Sequence, residues 1–221
     1  MSSADGSGHF LQEHNCALPL APEKDTSEEG VGNPTEPSQT DDEGSVDENG
    51  ATTLMEAAKR NDVKAMKRYI SYQARMVAKF VKAGRIKIYG GTALMVAAVL
   101  GHVEAVKLLM RHESGMRDND EWTALMWAAL VGHAEVVKLL IETEGGMEKG
   151  KGFTALVLAA KYDHLECVKL LLEKEKDISG RPAIRMASMW HHSEVVSFLE
   201  SEGIIDPHLQ MLSKRPVSKF V

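Results

Sequence analysis

The chain has 221 residues, with 26 Lys and Arg against 32 Asp and Glu for a net charge of −6, and 43% of its residues are hydrophobic. That length holds one domain of about 150 residues plus tails. No run approaches the ~18 apolar residues of a membrane-spanning helix, and two cysteines are too few for a disulfide framework, which excludes a helical membrane span and a disulfide-built scaffold.

The net charge hides a split. Residues 1–50 hold 12 Asp and Glu and one Lys, or −11, whereas the remainder holds 25 Lys and Arg and 20 Asp and Glu, or +5. Residues 1–48 are rich in Ser, Gly, Pro, Glu and Asp, with Phe10 as their one aromatic. They cannot bury enough apolar surface to offset their ordering entropy, so they read as a disordered acidic arm. Cys16-Ala17-Leu18-Pro19-Leu20-Ala21 is short and broken by proline, so no signal peptide is expected. Thr26, Thr40 and Ser45 each precede a Glu by three residues (Glu29, Glu43, Glu48), a context that acid-directed kinases favour. A phosphate there would add roughly −1.5 to −2 charges.

From residue 49 onward one block recurs. Thr92-Ala93-Leu94-Met95-Val96-Ala97-Ala98, Thr123-Ala124-Leu125-Met126-Trp127-Ala128-Ala129 and Thr154-Ala155-Leu156-Val157-Leu158-Ala159-Ala160 are spaced by 31 residues (123 − 92, 154 − 123). Thr52-Thr53-Leu54-Met55-Glu56-Ala57-Ala58 precedes them by 40 residues (92 − 52), an excess of nine (40 − 31) that falls between Ser71 and Gly91. Pro182-Ala183-Ile184-Arg185-Met186-Ala187-Ser188 follows more loosely, 28 residues after Thr154 (182 − 154). A fixed period of roughly 20–50 residues signals stacked units that bury a shared core. The expected domain is a solenoid over 49–204, with units starting near 52, 92, 123, 154 and 182.

Each unit reads as two short helices. Leu125, Ala128 and Ala129 share one helical face, and Thr123 is placed to cap its first turn. Gly132 breaks the run, residues 133–141 form the second helix, and Gly145-Gly146 ends it with a left-handed residue. The extension after the first unit carries Arg75, Lys79, Lys82, Arg85 and Lys87 with Met76, Val77, Phe80 and Val81. It is expected to lengthen the second helix, its basic face either solvated or facing a membrane surface or partner helix. Polar residues crowd the outer units, Glu56 to Arg68 in the first and Arg185 to Glu194 in the last, as end caps of a complete five-unit stack require. Residues 205–221, with Lys214, Arg215 and Lys219, read as a basic, frayed tail.

The repeated unit resembles the ankyrin repeat, whose signature is Thr-Pro-Leu-His-x-Ala in a helix–helix–turn unit of about 33 residues. The resemblance covers about residues 51–203. Alanine replaces the proline in the three clear copies, Met or Val replaces the first-helix histidine, and the period is shorter. Thr-Ala-Leu-Met with Glu-Gly-Gly-Met at this period is similar to ankyrin-only proteins abundant in diplomonad protists. The resemblance implies an all-α solenoid of about five helix-turn-helix units.

No motif for chemistry accompanies the repeats. His102, His133, His164 and His192 recur, but equivalent positions in stacked helices lie roughly 8–10 Å apart, too far to share one metal at about 2.0–2.1 Å from each. They are expected to start second helices and bond backbone near the turn. There is no Gly-x-Ser-x-Gly elbow and no phosphate loop. Glu142 and Glu144 read as solvated carboxylates near a helix end, and Cys167 as a small buried hydrophobe. Catalytic residues, metals and cofactors are therefore expected to be none, and the protein is not expected to be an enzyme.

The resemblance also implies where a partner would sit: a concave face built from turn tips and the outer ends of first helices. Carried across, the residue before each Thr and the two after each Ala-Ala nominate Trp122, Phe153, Val99, Leu100, Leu130, Val131, Tyr162 and Trp190 as partner-binding, the central ones lining one apolar groove. Trp127, whose slot holds Val96 and Leu158 in adjacent units, is expected to pack between repeats. The reading is a monomeric, non-catalytic scaffold that binds a protein partner. A small-molecule substrate and nucleic acid are not expected. The alternative is a regulatory module whose acidic arm modulates binding of an acidic ligand to the basic solenoid. The cytoplasm is the expected location, with the nucleus or a cytoskeletal association as alternatives.

Overall fold

A computed structural model describes residues 45–150 and 152–207. The acidic residues before 45, with Phe10, Cys16, Thr26 and Thr40, lie outside the described residues, as do Lys214, Arg215 and Lys219.

The described chain is a stack of helix pairs. Short first helices are α1 (Thr53–Lys59), α3 (Ala93–Leu100), α5 (Ala124–Val131) and α7 (Ala155–Lys161). Second helices are α2 (Val63–Gln73), α4 (Val103–Glu113) and α6 (Ala134–Glu144), and the stack closes with the long α8 (Leu165–Met189) and α9 (Ser193–Ser201). First helices pack on first helices (α1 on α3, α3 on α5, α5 on α7) and second on second (α2 on α4, α4 on α6, α6 on α8), giving two rows. A helix that is apolar all round must be buried all round, and residues 93–99 of α3 and 124–130 of α5 are all buried. Every Ala-Ala pair from Ala57-Ala58 to Ala159-Ala160 has no exposed surface. A side chain that stops at Cβ lets the rows approach closely.

The local signals for starts and stops operate. The Thr52, Thr92 and Thr123 hydroxyls accept the backbone N–H three residues on, from Met55, Met95 and Met126, at 3.2, 3.4 and 3.4 Å. Thr154 does not cap; its hydroxyl meets Ser179 Oγ at 2.7 Å. Nine residues after each block start the backbone turns left-handed, at Asn61, Gly101, Gly132, Asp163 and His191. Gly146, at φ +80°, makes the left-handed step after α6.

The extension corrects the expectation of a longer helix. Residues 80–89 form a hairpin, β1 (Phe80–Ala83) antiparallel to β2 (Ile86–Tyr89), with Phe80 opposite Tyr89 and Lys82 opposite Lys87. The sequence alternates with period two on both sides of Gly84-Arg85, and Gly84 at φ +58° supplies the positive φ that a tight hairpin turn needs at its first central residue. Val81, Ala83 and Ile88 are buried in the common core, and β1 packs on α3.

Both ends also depart from expectation. Residues 45–48, assigned to the arm, form the first turn finger: Val46 bridges to Thr52, and Asp47 Oδ1 accepts from Asn49 and Ala51 N–H at 2.8 Å each. The fifth unit does not begin with a turn near 182. Pro182 lies inside the 25-residue α8, so no finger separates the fourth unit from the fifth. Without Gly at the position of Gly145-Gly146, Lys176-Asp177 let the helix run on, and Ser179 and Gly180 are buried within it. Asp206, assigned to the frayed tail, is 2% exposed and accepts from Arg185 Nε at 2.8 Å.

Candidate protein-interaction surface

Two polar ladders tie the units together. In the first, each second-helix histidine reaches back one unit: the Nε2 atoms of His102, His133, His164 and His192 lie 3.1, 3.0, 3.0 and 2.8 Å from the backbone oxygens of Lys59, Val99, Leu130 and Lys161. Each histidine is the residue before its second helix, as the sequence implied. A Cβ on Gly101 or Gly132 would lie 2.7 or 2.5 Å from the Nδ1 of His133 or His164, so glycine there serves both the left-handed turn and the close approach of the ring. Burial holds His164 below the ordinary histidine pKa, which favours the neutral ring.

The second ladder was not read from the sequence. Glu113, Glu144 and Glu175, each 21 residues after its block start, are at most 1% exposed. One carboxylate oxygen of each accepts the N–H of Leu94, Leu125 or Leu156 at 2.7 Å, at the start of its own unit's first helix. The other accepts the N–H of Arg75, Gly115 or Gly146 in the preceding unit at 3.1, 2.9 and 3.0 Å. Burial pushes Glu113 and Glu175 above the usual carboxylate range against the pull of these N–H donors. Glu144 is thus no solvated carboxylate; its 31-residue recurrence with Glu113 and Glu175 was the available signal. In the first unit, Gln73 and Asp62 stand at the ladder positions. Gln73 Oε1 still accepts from Leu54 N–H at 2.7 Å, but its buried Nε2 has no partner.

The fingers and first-helix ends hold the nominated residues, and they divide. Val99 and Leu130 are 5% and 3% exposed and belong to the core, with their carbonyls occupied by the histidine ladder. They do not line an open groove, because α3 and α5 are enclosed on every face. Leu100, Val131, Phe153 and Tyr162 are half-buried against the core. A Cβ on Gly84 would lie 3.7 Å from Leu100 Cδ2, so the hairpin turn lies close to the end of α3.

Three of the nominated aromatics carry a lysine over the ring. Trp122 is half-buried, its ring 4.6 Å from that of Trp127, and Lys149 Nζ stands 5.3 Å from its centroid. Trp127 is buried, and its Nε1 donates to Asp118 Oδ2 at 2.9 Å. Asp118 Oδ1 also accepts from the Asp120 and Trp122 N–H groups, which shapes the third finger. The same turn stands at Asp47, where the Ala51 N–H lowers the carboxyl pKa; burial raises it at Asp118. Lys161 Nζ lies 5.3 Å from the Tyr162 ring and 5.4 Å from that of Trp190, bringing those two nominated residues together. Trp190 and Met189 are 48% and 59% exposed. Cys167 is buried, which pushes its thiol up to about 11 and keeps it protonated.

Three overlapping segments, residues 31–113, 54–149 and 143–210, match the family model described as ankyrin repeats (3 copies). The chain belongs to the ankyrin-repeat family. No curated protein matches it. Ankyrin repeats are generally protein–protein interaction modules and generally non-catalytic. In this ankyrin stack the glutamate and histidine ladders join neighbouring units although the first-helix histidine of the signature is absent. Among the described residues, no helix is long and apolar enough to cross a membrane.

Proposed function

We propose that this ankyrin protein is a scaffold that binds a protein partner reversibly on the side made by its fingers and first-helix ends. The supporting observation is the set of aromatics with lysines over their rings, half-buried Trp122 with Lys149 and half-buried Tyr162 and exposed Trp190 with Lys161. Aromatic anchors dominate binding energy where they become fully desolvated, and a lysine over the ring adds a charge that selects the partner. Binding and release from a pre-formed surface need no covalent step, so the scaffold role asks nothing of the buried thiol or carboxylates.

The test is affinity capture from source-cell lysate with wild type, Trp122→Ala/Phe153→Ala and Tyr162→Ala/Trp190→Ala, alongside circular dichroism. The reading expects a partner held by wild type and lost by at least one pair at unchanged helicity. Equal capture by all three would reject the surface. A second reading, in which the acidic N-terminal residues weaken binding of an acidic ligand, draws support from the hairpin lysines, which form no ion pair among the described residues. It expects salt-sensitive binding that strengthens on deletion of residues 1–44.

A further inference from the structure

We infer that the outward face of the β1–β2 hairpin is a docking surface for an extended, carboxylate-rich polypeptide segment. This inference rests on the binding reading above and names a site and a partner chemistry for it. The hairpin is two-sided. Val81, Ala83 and Ile88 face inward and are buried, whereas Phe80, Lys82, Lys87 and Tyr89 share the opposite face. Lys79 and Arg85 flank them, both exposed, and residues 75–91 contain five Lys and Arg (75, 79, 82, 85, 87) and no Asp or Glu. None of Lys79, Lys82, Arg85 and Lys87 forms an ion pair among the described residues, although Lys59, Lys107, Lys169 and Lys174 all do. Four uncompensated cations on one short ribbon cost self-repulsion that a carboxylate-bearing ligand relieves.

The face is also pre-ordered. Lys87 Nζ stands 3.6 Å from the Phe80 ring centroid and 4.8 Å from that of Tyr89, so its ammonium is held between two rings rather than sweeping free. At its base the hairpin is anchored on both sides: Lys79 N–H donates to Asn49 O at 2.8 Å, and Asn119 N–H donates to Tyr89 O at 2.9 Å. A ligand therefore meets a fixed surface and little ordering entropy opposes it.

The chemistry favours polypeptide carboxylates over nucleic acid. Single-stranded nucleic acid binds by stacking bases on open aromatic faces, and Lys87 already covers Phe80. Lys82 and Lys87 sit directly opposite each other, about 5 Å apart at Cβ. Same-face carboxylates of an extended peptide recur every ~6.6 Å, so successive acids can meet the lysine pair and then Lys79 or Arg85.

The test titrates the full chain with a fluorescently labelled 16-residue peptide alternating Glu with Ser and Leu, and in parallel with a 16-nucleotide oligothymidylate, at about 0.1 M salt. Compared are wild type, Lys82→Glu/Lys87→Glu, Tyr89→Ala, Tyr162→Ala/Trp190→Ala, and the charge-matched control Lys64→Glu/Lys67→Glu on exposed positions of α2. The expected result is peptide binding that falls about tenfold or more in the hairpin pair, a few-fold in Tyr89→Ala and less than about twofold in the α2 control, at unchanged melting temperature. If the hairpin pair melts early, Lys82→Gln/Lys87→Gln carries the same comparison. Equal losses in both charge-reversed variants, no peptide binding by wild type, or tighter binding of the oligonucleotide would overturn the inference. Loss in Tyr162→Ala/Trp190→Ala with retention in the hairpin pair would move the acid site to Lys161. That would overturn the hairpin assignment while leaving the scaffold reading intact.

Discussion

The ladder and the fingers of this ankyrin stack obey different rules. Along the ladder, Glu113, Glu144 and Glu175 make the same two hydrogen bonds in three successive units, and four histidines reach four equivalent carbonyls. Along the fingers the repetition is partial: the same aspartate turn at Asp47 and at Asp118, the latter carrying Trp122, a ten-residue basic hairpin between them, a turn closed by Lys149 N–H to Phe153 O at 2.8 Å, and then no finger where α8 runs through. Buried polar groups are costly to leave unpaired, so the partners of the three glutamates and four histidines repeat from unit to unit. Exposed turns are free to differ, and that is where a partner can be chosen.

The sharpest way to break the comparison is to cut the ladder in the middle. Glu144→Ala leaves the Leu125 and Gly115 N–H groups without their acceptor. The expected loss is about 3 kcal/mol in urea unfolding. A loss no larger than that of an exposed glutamate such as Glu142→Ala would mean that the ladder is incidental. His133→Ala is next. It strips the Val99 carbonyl of its partner and is expected to cost about 1–2 kcal/mol, whereas Ala at exposed His112 is expected to cost almost nothing.

Acid sharpens the comparison further. Burial raises the folded-state pKa of Glu113 above its ordinary 4.5. The cost of burying its charge is thus present above the folded pKa and is relieved as pH falls through that value towards 4.5. The stability gap between wild type and Glu113→Ala should widen on acidification from pH 7 to pH 5. A gap that narrows would mean that the hydrogen bonds to the carboxylate outweigh its burial. The smallest effect belongs to a finger. Glu121 holds φ +65° where the equivalent Gly90 and Gly152 hold +72° and +71°, so Glu121→Gly should stabilise by on the order of 0.5 kcal/mol.

The same division governs what the sequence discloses. Thr92, Thr123, Ala97-Ala98 and Gly132 act locally or at every period, so helix starts, stops and the buried row are legible from spacing. The histidine positions were legible too, down to their place before each second helix. Glu144 misled because a carboxylate near a helix end is usually solvated, and only its partners one unit away show otherwise. The hairpin was written plainly in the alternation Phe80-Val81-Lys82-Ala83 and Ile86-Lys87-Ile88-Tyr89. A helical repeat on either side makes a helix the default, and the basic residues fit an amphipathic helix as well as a ribbon. Val99 and Leu130 looked exposed because family alignment places them at helix ends; here α3 and α5 are apolar on all sides and enclosed. The run-through of α8 depends on what is missing, a glycine pair after Glu175, which leaves no positive signal to read.

Residue-resolved amide hydrogen exchange on the full chain, with and without the saturating acidic 16-residue peptide, tests the division most directly. The Leu94, Leu125 and Leu156 amides are expected to be among the slowest to exchange in both states, and added protection is expected along residues 79–89 and adjoining fingers. Fast exchange at the three ladder amides, or ligand protection confined to the outer faces of α2, α4 and α6, would contradict the division.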